Sequence, residues 1–189
     1  GIIKIKEYYI SYFISFFTYN QLFNFKLIIN LNNKSSGFQY TLVLELLILV
    51  FTIVLAFLVI LPLTNSKVDY PFFTENIVFI FTFILVTRYV FLLKYSLLAK
   101  QQAVKVALVF IFIPFIFYLI SELHGFRTFL DEEGMYHPMR NLSADEAQRL
   151  GNYMYYEMVF FGSGAIVASI IFPFRMIISV WTLKNRGKV

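Results

Sequence analysis

Glu45 in LVLELLILVF, Arg88 in FILVTRYVFLL and Arg175 in IIFPFRMIIS are ionisable side chains inside long apolar runs. A charge in hydrocarbon is costly, so each needs a partner charge, a reachable head group or a functional role. Arg88 precedes Lys94 by six residues, about 9 Å of helix rise. From there an arginine can snorkel to the head groups. Arg175 precedes Lys184 by nine residues and sits deeper. Glu45 lies about one turn inside its run, close to the level of Arg88 when the two runs form antiparallel helices. These positions predict a Glu45–Arg88 ion pair, with Arg175 left for a lipid phosphate or a partner subunit. The alternative is that each side chain snorkels alone.

A second group could hold a metal: Glu122, His124, Asp131, Glu132, Glu133 and His137 in one polar stretch. Zinc needs three or four converging ligands, and H-E-x-x-H is absent. Two histidines thirteen residues apart in such a stretch read as surface residues, so no metal is expected. The chain contains no G-x-S-x-G elbow, Walker loop or Rossmann fingerprint, and no paired haem histidines on its apolar runs. No catalytic residue and no cofactor are therefore assigned. Neither a carboxylate nor a histidine falls near the middle of an apolar run, which argues against an autonomous proton-coupled carrier.

A third pattern concerns packing. In GSGAIVAS, Gly162, Gly164, Ala165, Ala168 and Ser169 include small residues spaced four apart on adjoining stripes. Such a face admits a second helix at close range, from the same chain or from another.

The elements that carry these residues follow from composition. The chain has 189 residues, 59% hydrophobic and only 14% charged, with a mean hydropathy of +0.72. Soluble domains are about 45–50% apolar and about 25% charged, and one of this size cannot hide so much apolar side chain. A soluble enzyme, a disordered tail and a disulfide-stapled module are all excluded, the last because cysteine is absent. The net charge of +5 gathers at the ends of apolar runs. Head groups and topology explain it there, and nucleic acid does not.

A membrane-crossing helix needs about 20 mostly apolar residues. Four runs qualify, at about 42–63, 72–93, 103–120 and 158–181, with Pro114 and Pro173 expected to kink rather than break their helices. The fold expected is an all-α polytopic membrane protein, a four-helix transmembrane domain over 41–189.

Lys94 and Lys100 lie between runs two and three, Lys105 stands at the opening of run three, and Lys184, Arg186 and Lys188 follow run four, with no acid among them. The outer loop expected at 121–157 carries seven acidic residues against three arginines. The positive-inside rule then places the 94–105 loop and the C-terminus in the cytoplasm and the acidic segment outside. Within that segment Gly125, Gly134 and Pro138 predict turn-rich structure. Ser143 to Glu146 has capping-box spacing, so a helix is expected to start at Ser143 and run into the fourth span.

Residues 1–40 are of doubtful status. No methionine precedes Met135 and no alanine precedes Ala56, and the opening is rich in residues with AT-rich codons. It reads either as an over-extended reading frame or as a genuine segment. Residues 8–25 are long enough for a fifth span or an interfacial helix.

With few charges in the span interiors and a small-residue face, the leading expectation is a non-enzymatic accessory or scaffolding subunit of a larger inner-membrane assembly. Such an assembly would serve transport, secretion or energy transduction in a bacterial membrane, and the contacts expected are lipid, other integral subunits or a second copy. Two rivals come from other classes. One is a homo-oligomeric transporter or channel with Arg88 and Arg175 lining its path. The other is a lipid-directed enzyme using Glu122, His124 and the 131–137 cluster.

Overall fold

The computed structural model describes residues 37–66, 68, 70–99 and 101–185. The chain divides into two units, residues 1–43 and 44–189, and the bundle belongs to the second apart from the opening residues of its first helix. Its helices are α1 (Gly37–Asn65), α2 (Phe73–Leu92), α3 (Gln102–Glu133) and α4 (Ala144–Asn185). Two short 3-10 turns, Leu93–Tyr95 and Leu97–Ala99, join α2 to α3, and a third, His137–Met139, joins α3 to α4. Every regular element among the described residues is helical. Four helices are long and apolar enough to cross a membrane, as a multi-pass membrane protein requires. Residues 8–25, considered as a fifth span or an interfacial helix, lie outside the described residues, as do Lys100, Arg186 and Lys188.

Glu45 meets Arg88, whereas Val59 meets Tyr153, whose hydroxyl donates to the Val59 carbonyl at 2.7 Å. Helix α1 therefore runs antiparallel to α2 and α4. One end of the bundle holds Arg88, Lys94, Lys105, Arg175 and Lys184, and is the basic end here. The other, with the α3–α4 connection, is the acidic end.

Helix α4 is the axis, packed against both α2 and α3. Its buried stripe is Glu157, Phe161, Ala165, Ala168, Phe172 and Met176, spaced by three and four residues as one helix face demands. Near the basic end this stripe meets Val86 and Leu93 in a common core. The Phe112 and Phe172 rings lie 4.3 Å apart there. Helix α1 contributes a narrower seam, Ile48, Thr52, Ala56, Ile60 and Leu63. Its remaining surface, including Leu46, Val50, Phe57 and Leu58, is exposed and apolar, as lipid contact requires.

Helices α3 and α4 have 32 and 42 residues, about 48 and 63 Å at 1.5 Å per residue. A hydrocarbon core of about 30 Å cannot contain them, so both continue beyond it at the acidic end. This corrects the turn-rich structure expected from residue 121. The helix persists to Glu133 because Leu119, Leu123 and Phe126 continue a buried stripe, and Gly125 is absorbed within it. The break comes at Gly134, whose φ of 87° suits glycine and strains other residues. Helix α4 then starts at Ala144. Ser143 stands just ahead of it with its hydroxyl donating to the Glu146 carboxylate at 3.0 Å. Pro114 and Pro173 both lie inside unbroken helices.

Candidate functional site

At the basic end the structure brings Glu45 of α1 and Arg88 of α2 into an ion pair. The Glu45 carboxylate also accepts from the Tyr89 hydroxyl and from the Leu97 backbone N–H, each at 3.1 Å. The Arg88 guanidinium lies 5.2 Å from the Tyr89 ring centroid. Side-chain exposure is only 7% for Arg88 and 13% for Glu45. Both charges are thus largely removed from solvent and compensated by each other, while the second carboxylate oxygen holds the 3-10 turn after α2. One carboxylate ties three segments together.

Arg175 does not join this pair. Its Nε donates to the Val90 carbonyl at 3.1 Å, in the last turn of α2, where carbonyls lack intrahelical partners and cations are favoured. The rest of Arg175 is exposed. Lys105 is fully buried, although it lies in the loop expected to face the cytoplasm. Its Nζ donates to the Ala99 carbonyl at 2.7 Å and to the Ser179 hydroxyl at 2.9 Å. That ammonium fastens the 3-10 turn and the start of α3 to the end of α4.

The acidic end holds a polar cluster that sequence reasoning missed. The Asn76 side-chain amide, in the first turn of α2, donates to Glu157 of α4 at 2.6 Å. Asn76 is fully buried and Glu157 is 7% exposed. The other carboxylate oxygen, Oε1, and the Asn76 Oδ1 have no hydrogen-bond partner. Tyr70 closes the group, its hydroxyl donating to Met158 Sδ at 3.5 Å. Burial, then the carboxylates of Glu157 and Glu75, push the Tyr70 phenol up, against a lowering contact from Asn76. It is therefore neutral at physiological pH.

Glu157 closes the segment expected to form a polar outer loop, yet it belongs to the core. It stands four residues before Phe161 and eight before Ala165, on the same stripe as the small residues of α4. Extending the helical period backwards from Ala165 would have found it. Asn76 carried a weaker signal, a lone amide in the opening turn of an apolar run. Lys105 and Tyr89 carried none, because their partners are distant in sequence.

The small-residue face is occupied within the chain. A Cβ on Gly162 would come within 2.8 Å of the Leu123 side chain of α3, and one on Gly164 within 2.7 Å of the Phe83 ring of α2. Ala165, Ala168 and Ser169 are buried as well. This face brings α2 and α3 close to α4.

The polar stretch considered for metal binding is dispersed. His124 is exposed on α3, and His137 pairs with Glu133 at 3.1 Å on the turn beyond it. Among the described residues no three potential ligands converge. Comparison with protein-family models, curated proteins and solved structures finds no match to this chain.

Proposed function

We propose that this chain is a non-enzymatic accessory or scaffolding subunit of a larger inner-membrane assembly. One observation carries the reading: four charged residues at the basic end, Glu45, Arg88, Lys105 and Arg175, join the chain's own segments. Glu45 and Arg88 link α1 to α2 and to the Leu97 turn, and Lys105 links that turn to α4. Arg175 reaches from α4 to the end of α2. Groups committed in this way set helix positions and leave little for turnover of a substrate.

What α1 offers outward supports the same role. Only one stripe of α1 is buried, and Leu46, Leu47, Val50, Val54, Phe57 and Leu58 form a broad apolar face. That face suits lipid or the helix of another subunit, since packing between helices in a membrane relies on shape rather than on solvent exclusion. By the positive-inside rule the basic end and the C-terminus are cytoplasmic, and the projecting α3–α4 hairpin lies outside, in a bacterial inner membrane.

The transporter reading has less support. Arg88 is enclosed by its pair with Glu45, which leaves Arg175 as the one exposed arginine of the two. The test is gentle extraction from native membranes, followed by identification of co-purifying integral proteins. Stoichiometric partners support the assignment; a lone monomer under conditions that preserve other complexes refutes it.

A further inference from the structure

The unpartnered oxygens at the acidic end call for an explanation, because buried polar atoms are nearly always satisfied. Glu157 Oε1 and Asn76 Oδ1 belong to two side chains already joined by a 2.6 Å hydrogen bond, so both oxygens lie in one small region. Both residues are more than nine-tenths buried. Among the described residues, the salt bridges are Arg88–Glu45 and His137–Glu133, so Glu157 has no cationic side chain beside it. A buried carboxylate without a counter-charge is much more costly than a missing hydrogen bond, so Glu157 takes up either a proton or a cation.

The chemistry of the surrounding atoms narrows what could supply that charge. Glu157 and Asn76 contribute oxygens with free lone pairs. Tyr70 commits its proton to Met158 Sδ, which leaves the phenol oxygen as an acceptor. Oxygen donors suit hard cations and do not suit soft ones. Glu157 is the carboxylate hydrogen-bonded within the group, and ionised it brings one formal negative charge, which one positive charge neutralises. Glu75, the next residue to Asn76, is turned about 100° around α2, and its own Oε2 is also buried without a hydrogen-bond partner, so the monovalent ion is matched to Glu157 alone.

We propose that Glu157, Asn76 and Tyr70 form a binding site for a hard monovalent cation of the Na+ type, which fastens α2 to α4 at the acidic end. The site stands about 18 Å along α2 from Arg88, separate from the Glu45 cluster. It also does not depend on the accessory-subunit reading, since such an ion is structural in a lone protein or in a complex.

The test uses the full chain in detergent, with thermal unfolding followed in NaCl and in choline chloride at equal ionic strength. A ligand at a hundredfold excess over its dissociation constant raises Tm by about 5–10 °C for a chain of this length. The expected result is a saturable sodium-specific rise in the wild type that disappears in Glu157→Gln. Equal melting in both salts overturns the proposal, as does a sodium effect that survives Glu157→Gln. Stability that follows pH but ignores sodium assigns the site to a proton, and that also overturns it. Where Glu157→Gln does not fold, radiolabelled sodium binding to the wild type decides. One ion per chain is expected, and none refutes.

Discussion

The Glu45 cluster allows a quantitative perturbation. Arg88→Met keeps the length and apolar stem of the side chain while removing the charge. It leaves the Glu45 carboxylate, 13% exposed, with only the Tyr89 hydroxyl and the Leu97 N–H as partners. Stranding one member of a buried pair costs about 3–5 kcal/mol, or roughly 6–20 °C in Tm at about 2–4 °C per kcal/mol. Removing the second charge should recover much of this, and the extra hydrogen bonds determine how much. Glu45→Leu with Arg88→Met leaves no buried charge but orphans the Leu97 N–H, at about 1–3 kcal/mol. Glu45→Gln with Arg88→Met retains an oxygen that can still accept from Leu97. The wild type is therefore expected to be the most stable, followed by the double substitution that carries Glu45→Gln. The double that carries Glu45→Leu comes next, and Arg88→Met alone is last. Thermal unfolding of the four proteins in one detergent, together with the Glu45 single substitutions, gives the cycles directly. A coupling energy below about 0.5 kcal/mol, the ordinary scatter of additivity, would refute the reasoning. So would equal rescue by leucine and glutamine.

Two further outcomes follow from the packing and the topology. Gly164→Ala sets a methyl 2.7 Å from the Phe83 ring and should cost about 1–3 kcal/mol through overpacking. Gly125→Ala, with nothing within 4 Å, should stabilise α3 by about 0.5–1 kcal/mol; thermal unfolding of both checks the contrast in sign. The absence of native cysteine makes single substitutions clean reporters. Ser143→Cys should react with an impermeant thiol reagent in intact cells, and Lys184→Cys only after permeabilisation. The reverse pattern would invert the proposed orientation.

Reading the sequence works best where chemistry and period coincide. Four apolar runs long enough to cross a bilayer correspond to four helices, because uninterrupted apolar sequence in lipid must satisfy its own backbone. Glu45 and Arg88 can be placed at one level by counting residues from the ends of their runs, since helix rise is fixed. Counting cannot show that they face each other, nor that Leu97 and Tyr89 share the same carboxylate. Around Ser121 and Gly125 the local composition is polar and suggests the edge of a loop. The apolar stripe through Leu123 and Phe126 instead carries the helix on to Glu133. Glu157 looks like one of several solvated acids for the same reason, although its position on the α4 stripe buries it.

The sequence alone determined the class of molecule, the long helices among the described residues, and the sorting of charge to one end or the other. Those properties depend on hydrophobicity, length and rise, which are local. Tertiary structure decided which polar groups are partnered. It enclosed Lys105 against Ser179, directed the small residues of α4 to Leu123 and Phe83, and joined Asn76 to Glu157 across 81 positions of chain. Such pairings depend on how helices rotate about their own axes when they pack. That rotation is set by all the side chains of a face at once, so no single motif encodes it.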